Sequence, residues 1–144
     1  MKPFLERVPR KMDASWSTLH RLLDAGIPFL WHHHPEFELT LTLNSRGQRF
    51  VGEDVGSYAE GDLVLVGPDL PHTWHSVSKY REGPHEVLVL WFRSEWVQTL
   101  ADEIVELRPI GQMFARGRAG LAFSPESSES PSGKPMRDCK AFAA

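Results

Sequence analysis

The clearest order in this chain is an alternation of apolar and polar positions. Phe37, Leu39, Leu41 and Leu43 alternate with Glu38, Thr40, Thr42 and Asn44, and a period of two gives each set its own face of a strand. Arg46-Gly47-Gln48 predicts a tight turn into a second strand over residues 49–52, making a hairpin. Gly56-Ser57-Tyr58 and Glu60-Gly61-Asp62 predict a further turn. Residues 63–66, stopped by Gly67-Pro68, read as a short buried strand, and residues 72–77 as another. Residues 87–92 are apolar on both faces, as a central strand would be. Nearer the N-terminus, Trp16–Leu23 and residues 27–31 read as strands separated by Asp24-Ala25-Gly26.

Helical patterning comes late. Ser94 is expected to cap a helix beginning at Glu95, with that acid near the positive end of the dipole. Residues 106–116 predict a second helix. Leu107, Ile110, Met113 and Phe114 form its apolar stripe, and Pro109 falls in the first turn, where a missing N–H costs little. Short strands with Gly/Pro turns, then helices, predict a mainly β domain: a small antiparallel barrel or sandwich with helices appended. That domain is expected over residues 1–123. A Ser/Pro/Glu-rich stretch with almost no apolar residues follows. It cannot offset its ordering entropy by burial, so residues 124–144 are expected to be a flexible tail.

Composition narrows the function classes. A length of 144 residues suits one domain, and 41% apolar with 24% charged residues is ordinary for a soluble globular protein. No run of apolar residues is long enough for a membrane-spanning helix, and Glu6 interrupts the N-terminal stretch where a signal peptide would be apolar. The lone Cys139 excludes an internal disulfide and suits a reducing cytoplasm. A net charge of −3 argues against a nucleic-acid surface. The basic clusters at Arg10-Lys11 and Arg116 to Arg118 read as solvated faces.

The candidate chemistry is concentrated in two short segments. Trp31-His32-His33-His34-Pro35-Glu36-Phe37-Glu38 carries the spacing H-x-H-x3-E through His32, His34 and Glu38. If residues 32–44 run extended, these three share a face with Glu36, Thr40 and Thr42, and His33 points away. Borderline divalent metals favour imidazole nitrogen with one carboxylate, and His72 from a neighbouring strand is the natural fourth ligand. Trp74 shares the His72 face and is expected to wall a ligand pocket together with Glu36, Thr40 and Thr42. The simpler alternative is an exposed histidine loop that protonates at mildly acid pH. His75 and His85 read as structural. Cys139 has no neighbouring base to activate it, and no nucleophile-elbow, P-loop or dinucleotide fingerprint occurs.

These residues resemble the cupin superfamily, whose first motif is G-x5-H-x-H-x3,4-E-x6-G and whose second is G-x5-P-x-G-x2-H-x3-N. Gly26, His32, His34 and Glu38 match the first; Gly61 and His72 match the second. The glycine that closes the first motif comes late, at Gly47. In the second, Gly67-Pro68 replaces the proline, Asp69 the inner glycine and Ser76 the asparagine. Over about residues 3–123 the chain also resembles the N-terminal sensor domain of AraC-type transcription regulators. The carriers are residues 34–39, 61–68 and 70–74. Residues 107–123 resemble the helix that follows the barrel in those regulators.

The resemblance implies a double-stranded β-helix, or jelly-roll barrel, that binds a small-molecule effector and forms a homodimer through its late helices. A divalent transition metal (Zn, Ni, Mn or Fe) would sit on His32, His34, Glu38 and His72. The family's DNA-binding helices are not expected after Phe123, so the chain reads as an isolated or truncated sensor domain, cytoplasmic and without catalysis. The alternative is a stand-alone metal-dependent cupin enzyme, a dioxygenase or isomerase, using the open coordination positions. A third reading is a binding module whose histidines serve only as a pH-sensitive loop.

Overall fold

In the computed structural model, which describes residues 1–9, 12–123 and 139–141, the polar–apolar alternation takes the expected form. Strand β4 (Phe37–Leu43) buries Glu38, Thr40 and Thr42 on one face, while Leu39, Leu41 and Leu43 on the other are only half-buried. The polar face points into the molecule and the leucine face points out.

The other strands are β1 (Phe4–Leu5), β2 (Trp16–Leu23), β3 (His32–His33), β5 (Arg46–Val51), β6 (Asp54–Tyr58), β7 (Asp62–Val66), β8 (His72–Ser78), β9 (His85–Phe92), β10 (Leu121–Phe123) and β11 (Cys139–Ala141). They form two sheets, ordered β1-β3-β8-β5-β6 and β11-β10-β7-β4-β9-β2. All pairings are antiparallel except β1 with β3. Helices α1 (Ser94–Glu103) and α2 (Arg108–Gly117), joined by a 3-10 turn at Val105–Leu107, follow β9. The molecule is therefore mainly β, with two sheets and short helices late in the chain.

Three apolar clusters hold these layers. Val51, Tyr58, Val64, Val66 and Trp74 pack between the sheets, and Val87, Val89 and Trp91 line the inner face of β9. On the outer face, Phe37, Leu65, Phe92 and Leu121 meet Ile110, Met113 and Phe114 of α2. Phe114 sits edge-on to both Phe37 and Phe92, with ring centroids 5.1 and 5.3 Å apart. The apolar stripe of α2 is therefore used against the barrel. Ile104 and Val105 remain exposed beside it.

Several local expectations are corrected. β4 and β5 do not form a hairpin: β4 pairs with β7 and β9, and β5 with β6 and β8 in the other sheet. The chain changes sheets at Asn44, which adopts φ 48°. Its side-chain oxygen accepts from the Tyr80 and Arg81 amides, and its amide nitrogen donates to the Arg81 and Pro84 carbonyls. Arg46-Gly47-Gln48 is strand, not turn. Gly47 is needed because a Cβ there would lie 2.1 Å from the His75 carbonyl oxygen.

Gly56-Ser57-Tyr58 is likewise strand, within β6. Residues 27–31 form no regular element; the Ile27 and Leu30 amides donate instead to Ser76 and Thr73 hydroxyls. Ser94 opens α1 from inside, the cap position is Arg93, and no side chain caps it. Leu121–Phe123 is a strand on β7 rather than helix. Arg10-Lys11 and most of the 124–144 tail lie outside the described residues; Cys139–Ala141 pairs with β10. No helix among the described residues is long and apolar enough to cross a membrane.

Candidate metal centre

His32 and His72 stand directly opposite one another in the β3–β8 pair, which brings their ring centroids to 4.4 Å. This register is how the second segment reaches the first. His34 follows one residue beyond β3, where the chain bends at Pro35-Glu36 before β4 begins. The Asp69 amide, from a residue in left-handed conformation (φ 57°), donates to the His34 carbonyl at 2.7 Å. It thereby ties the loop before His72 to the His34 backbone.

Each of the three imidazoles is oriented by a backbone carbonyl two residues away. Nδ1 of His32, His34 and His72 lies 2.6, 3.2 and 2.8 Å from the carbonyl oxygens of Leu30, Glu36 and Leu70. A carbonyl can only accept, so Nδ1 donates in all three rings, and Nε2 of each is the atom that offers a lone pair when the ring is neutral. Outer hydrogen bonds of this kind orient histidine ligands at metal sites.

The Nε2 atoms of His34 and His72 converge on Glu38. Its Oε2 is 3.0 Å from His34 Nε2 and 3.5 Å from His72 Nε2. Glu38 is itself fixed: Trp91 Nε1 donates to Oε2 at 2.7 Å, and Thr40 Oγ1 donates to Oε1 at 2.5 Å. Burial alone would raise the Glu38 pKa. Positive charge on His72 and hydrogen bonds donated by His34 and His72, when those rings are protonated, outweigh that effect and hold the carboxyl well below its ordinary range. With the rings neutral, this buried anion faces two imidazole lone pairs, an arrangement that a bound cation satisfies.

His32, His34, Glu38 and His72 each offer one ligand atom, all within 4.8 Å of one another. Ligands bound to a single ion at about 2.1 Å lie about 3.4 Å apart in a tetrahedron and at most about 4.2 Å apart, so shifts of about an ångström or less would close the set. His72 Nε2 is buried and accepts no hydrogen bond. Such an orphaned lone pair aimed at a carboxylate fits a divalent ion between them, and N3O chemistry suits Zn, Ni, Mn or Fe.

The cluster opens onto a cavity of about 90 Å³ between the sheets, bordered by Thr40, Thr42 and Trp74. Trp74 also donates to Asp62, which is ion-paired with Arg49. Glu36 is not brought to this cavity: the bend after His34 breaks the shared face, and its buried side chain borders a separate cleft with Trp16 and Trp96. His33 points away, 3.3 Å from Asp69. His85 is buried and structural, bonded to Ser45, which also bonds Tyr58. His75 is exposed.

Sequence reasoning missed Glu6. The parallel pairing of β1 on β3 sets its carboxylate 3.2 Å from His32 Nε2, on the cavity rim. The hydrogen bond to His32 outweighs burial and lowers the Glu6 pKa. Burial opposes protonation of His32, but Glu6 and the Leu30 carbonyl together raise its pKa. No pattern signalled this contact, because β1 is two residues long. Trp91 was legible only as core.

No protein-family model matches this sequence, and no curated protein matches it. Three solved structures are similar to parts of the chain. A cupin 2 conserved barrel domain protein from Rhodopseudomonas palustris is 18% identical over 60% of this chain, with a TM-score of 0.43. One from Salinispora arenicola is 18% identical over 67% of this chain and 79% of its own, with a TM-score of 0.42. A cupin protein from Bacteroides fragilis is 20% identical over 65% of this chain and 87% of its own, with a TM-score of 0.38. The chain spans 57% of the length of the first.

Proposed function

We propose that this chain is a cupin-type barrel that binds one divalent transition metal through His32, His34, Glu38 and His72, and a small molecule in the adjoining cavity. The observation that carries this reading is the gathering of three imidazoles, each oriented by a carbonyl on Nδ1, and the buried Glu38 carboxylate, with one ligand atom from each within 4.8 Å of the others. When bound, the ion would supply a Lewis-acid or redox centre at the cavity's polar end. Thr40 and Trp91 hold Glu38 in place, and Thr42 and Trp74 shape the wall.

Within that reading, the role we favour is effector binding and dimerisation in an AraC-type transcription regulator, working in the cytoplasm. It is supported by the residues of the two motifs and by the ligand-sized cavity beside them. Ile104 and Val105, left exposed beside α2, are the proposed contact between two copies. One observation favours a second reading, a metal-dependent dioxygenase or isomerase. The half-exposed Glu6 carboxylate on the rim supplies an acid/base group besides the four proposed ligands.

Titration with Co²⁺ tests the common core of both readings. One equivalent should bind and develop ligand-field absorption, and His72→Ala should abolish it. An unchanged spectrum in that variant overturns the ligand assignment. Between the two roles, a dimer that binds a small molecule unchanged supports the sensor, and turnover of that molecule supports the enzyme.

A further inference from the structure

Strand β2 forms the edge of the six-stranded sheet and pairs with β9 over its whole length. Cross-strand partners share a face, so the register fixes which β2 side chains point inward. Leu19 stands opposite Val89, and Arg21 opposite Val87. Val87 and Val89 belong to the inner cluster of β9. The inner row of β2 is therefore Ser17, Leu19, Arg21 and Leu23. The outer row includes His20, which bonds Glu86 at 2.8 Å.

An arginine in the inner row is out of place for a strand that only packs. Arg21 borders the same cavity as Glu38 and His32. Among the described residues it has no acidic partner, whereas its outward neighbour His20 has one. Its place in the lattice is also informative. Arg21 aligns through Val87 with Thr42, two strands across, and Thr42 lies four residues along β4 from Glu38. At roughly 4.8 Å per strand and 3.3 Å per residue, the guanidinium and the His/Glu cluster stand at opposite poles of the cavity. Between them the wall is mostly apolar, formed by Leu19, Leu23, Ile27, Val87 and Val89, with the Thr40 and Thr42 hydroxyls along β4.

We propose that the cavity takes a small monocarboxylate with an apolar body, its carboxylate held by Arg21 and its body lying on the Leu/Ile/Val wall toward the metal pole. This rests on the metal-site reading above and adds the ligand's class. The charges agree. A divalent ion and Arg21 against Glu38 and Glu6 leave one positive charge, which one carboxylate neutralises and a dicarboxylate exceeds. Guanidinium pairs with carboxylate through a two-pronged hydrogen bond that a neutral amide cannot match. The volume, about 90 Å³, excludes large ligands.

The test uses zinc-loaded protein and calorimetric titration with 3-methylbutanoate, its amide 3-methylbutanamide, and succinate. The wild type should bind 3-methylbutanoate at least about tenfold more tightly than the amide or succinate. Arg21→Gln should lose that preference, and Arg21→Lys should keep part of it. Arg21 is exposed at the rim, so neither change threatens the fold, and unchanged zinc stoichiometry in both variants verifies this. Equal binding of acid and amide by the wild type overturns the proposal, as does undiminished preference in Arg21→Gln. If the wild type takes up no zinc, the metal reading fails separately. The same titrations on metal-free protein then decide whether Arg21 selects the carboxylate, and absence of selectivity there overturns the proposal too.

Discussion

Nε2 of His34 lies 3.0 Å from Oε2 of Glu38, while Nδ1 of the same ring is tied to the Glu36 carbonyl. A neutral ring so oriented turns a lone pair toward an anion, and a cation between them resolves the contact. The same logic holds for His72, whose Nε2 lies 3.5 Å from that oxygen.

Trp91 holds Glu38 in this position through its indole N–H. Replacing Trp91 by Phe keeps an aromatic ring in the inner cluster and deletes the donor. Losing an outer-shell partner of this kind lowers metal affinity by about 10- to 100-fold. Zinc binding to Trp91→Phe, measured against a competing chelator, should show that loss with the stoichiometry unchanged. Wild-type affinity would mean that the indole does not position the carboxylate.

Phe114 anchors α2 on Phe37 and Phe92. Phe114→Ala should cost about 3 kcal/mol in urea unfolding, the usual scale for removing a packed aromatic. Cobalt binding should be intact, because the cluster lies on the opposite face of β4. A loss of under about 1 kcal/mol would mean that the helix does not depend on this contact.

His85 gives a pH dependence away from the metal cluster. Burial, and then the Lys79 charge, push its pKa below the ordinary 6.5. The unfolded chain therefore takes up this proton at higher pH than the folded one. Stability from the neutral ring is complete above about pH 6.5, declines as the pH falls, and levels off once the folded state also protonates. Between about pH 7.5 and pH 5.5, the wild type should lose more stability than His85→Gln, by urea titration. Equal losses would contradict the assignment.

The alternation in 37–44 made β4 and its inward polar face legible, because period two is a direct consequence of strand geometry. The H-x-H-x3-E spacing likewise marked His32, His34 and Glu38. The β4–β5 hairpin was not legible. The glycine in Arg46-Gly47-Gln48 looks like a turn residue, yet Gly47 serves a close approach to β8. Glu36 was misplaced because strand periodicity cannot register the bend after His34. Glu6 and Arg21 were hidden for a related reason. Their placement at the cavity follows from which strands pair, and no local pattern encodes that.

Gly47→Ala tests this reading of the crossing. The added Cβ would meet backbone at 2.1 Å, which a side-chain shift cannot relieve, so the cost should be about 2 kcal/mol or more in chemical denaturation. If residues 46–48 were an open turn, alanine would cost well under about 1 kcal/mol.

Elemental analysis of untagged protein, alongside His34→Ala, tests the metal centre most directly. One transition-metal ion per chain is expected in the wild type, from the cell or after reconstitution, falling to background in folded His34→Ala. Full occupancy in the variant, or a wild type that binds no ion when one is supplied, would contradict the assignment of His32, His34, Glu38 and His72 as a metal centre.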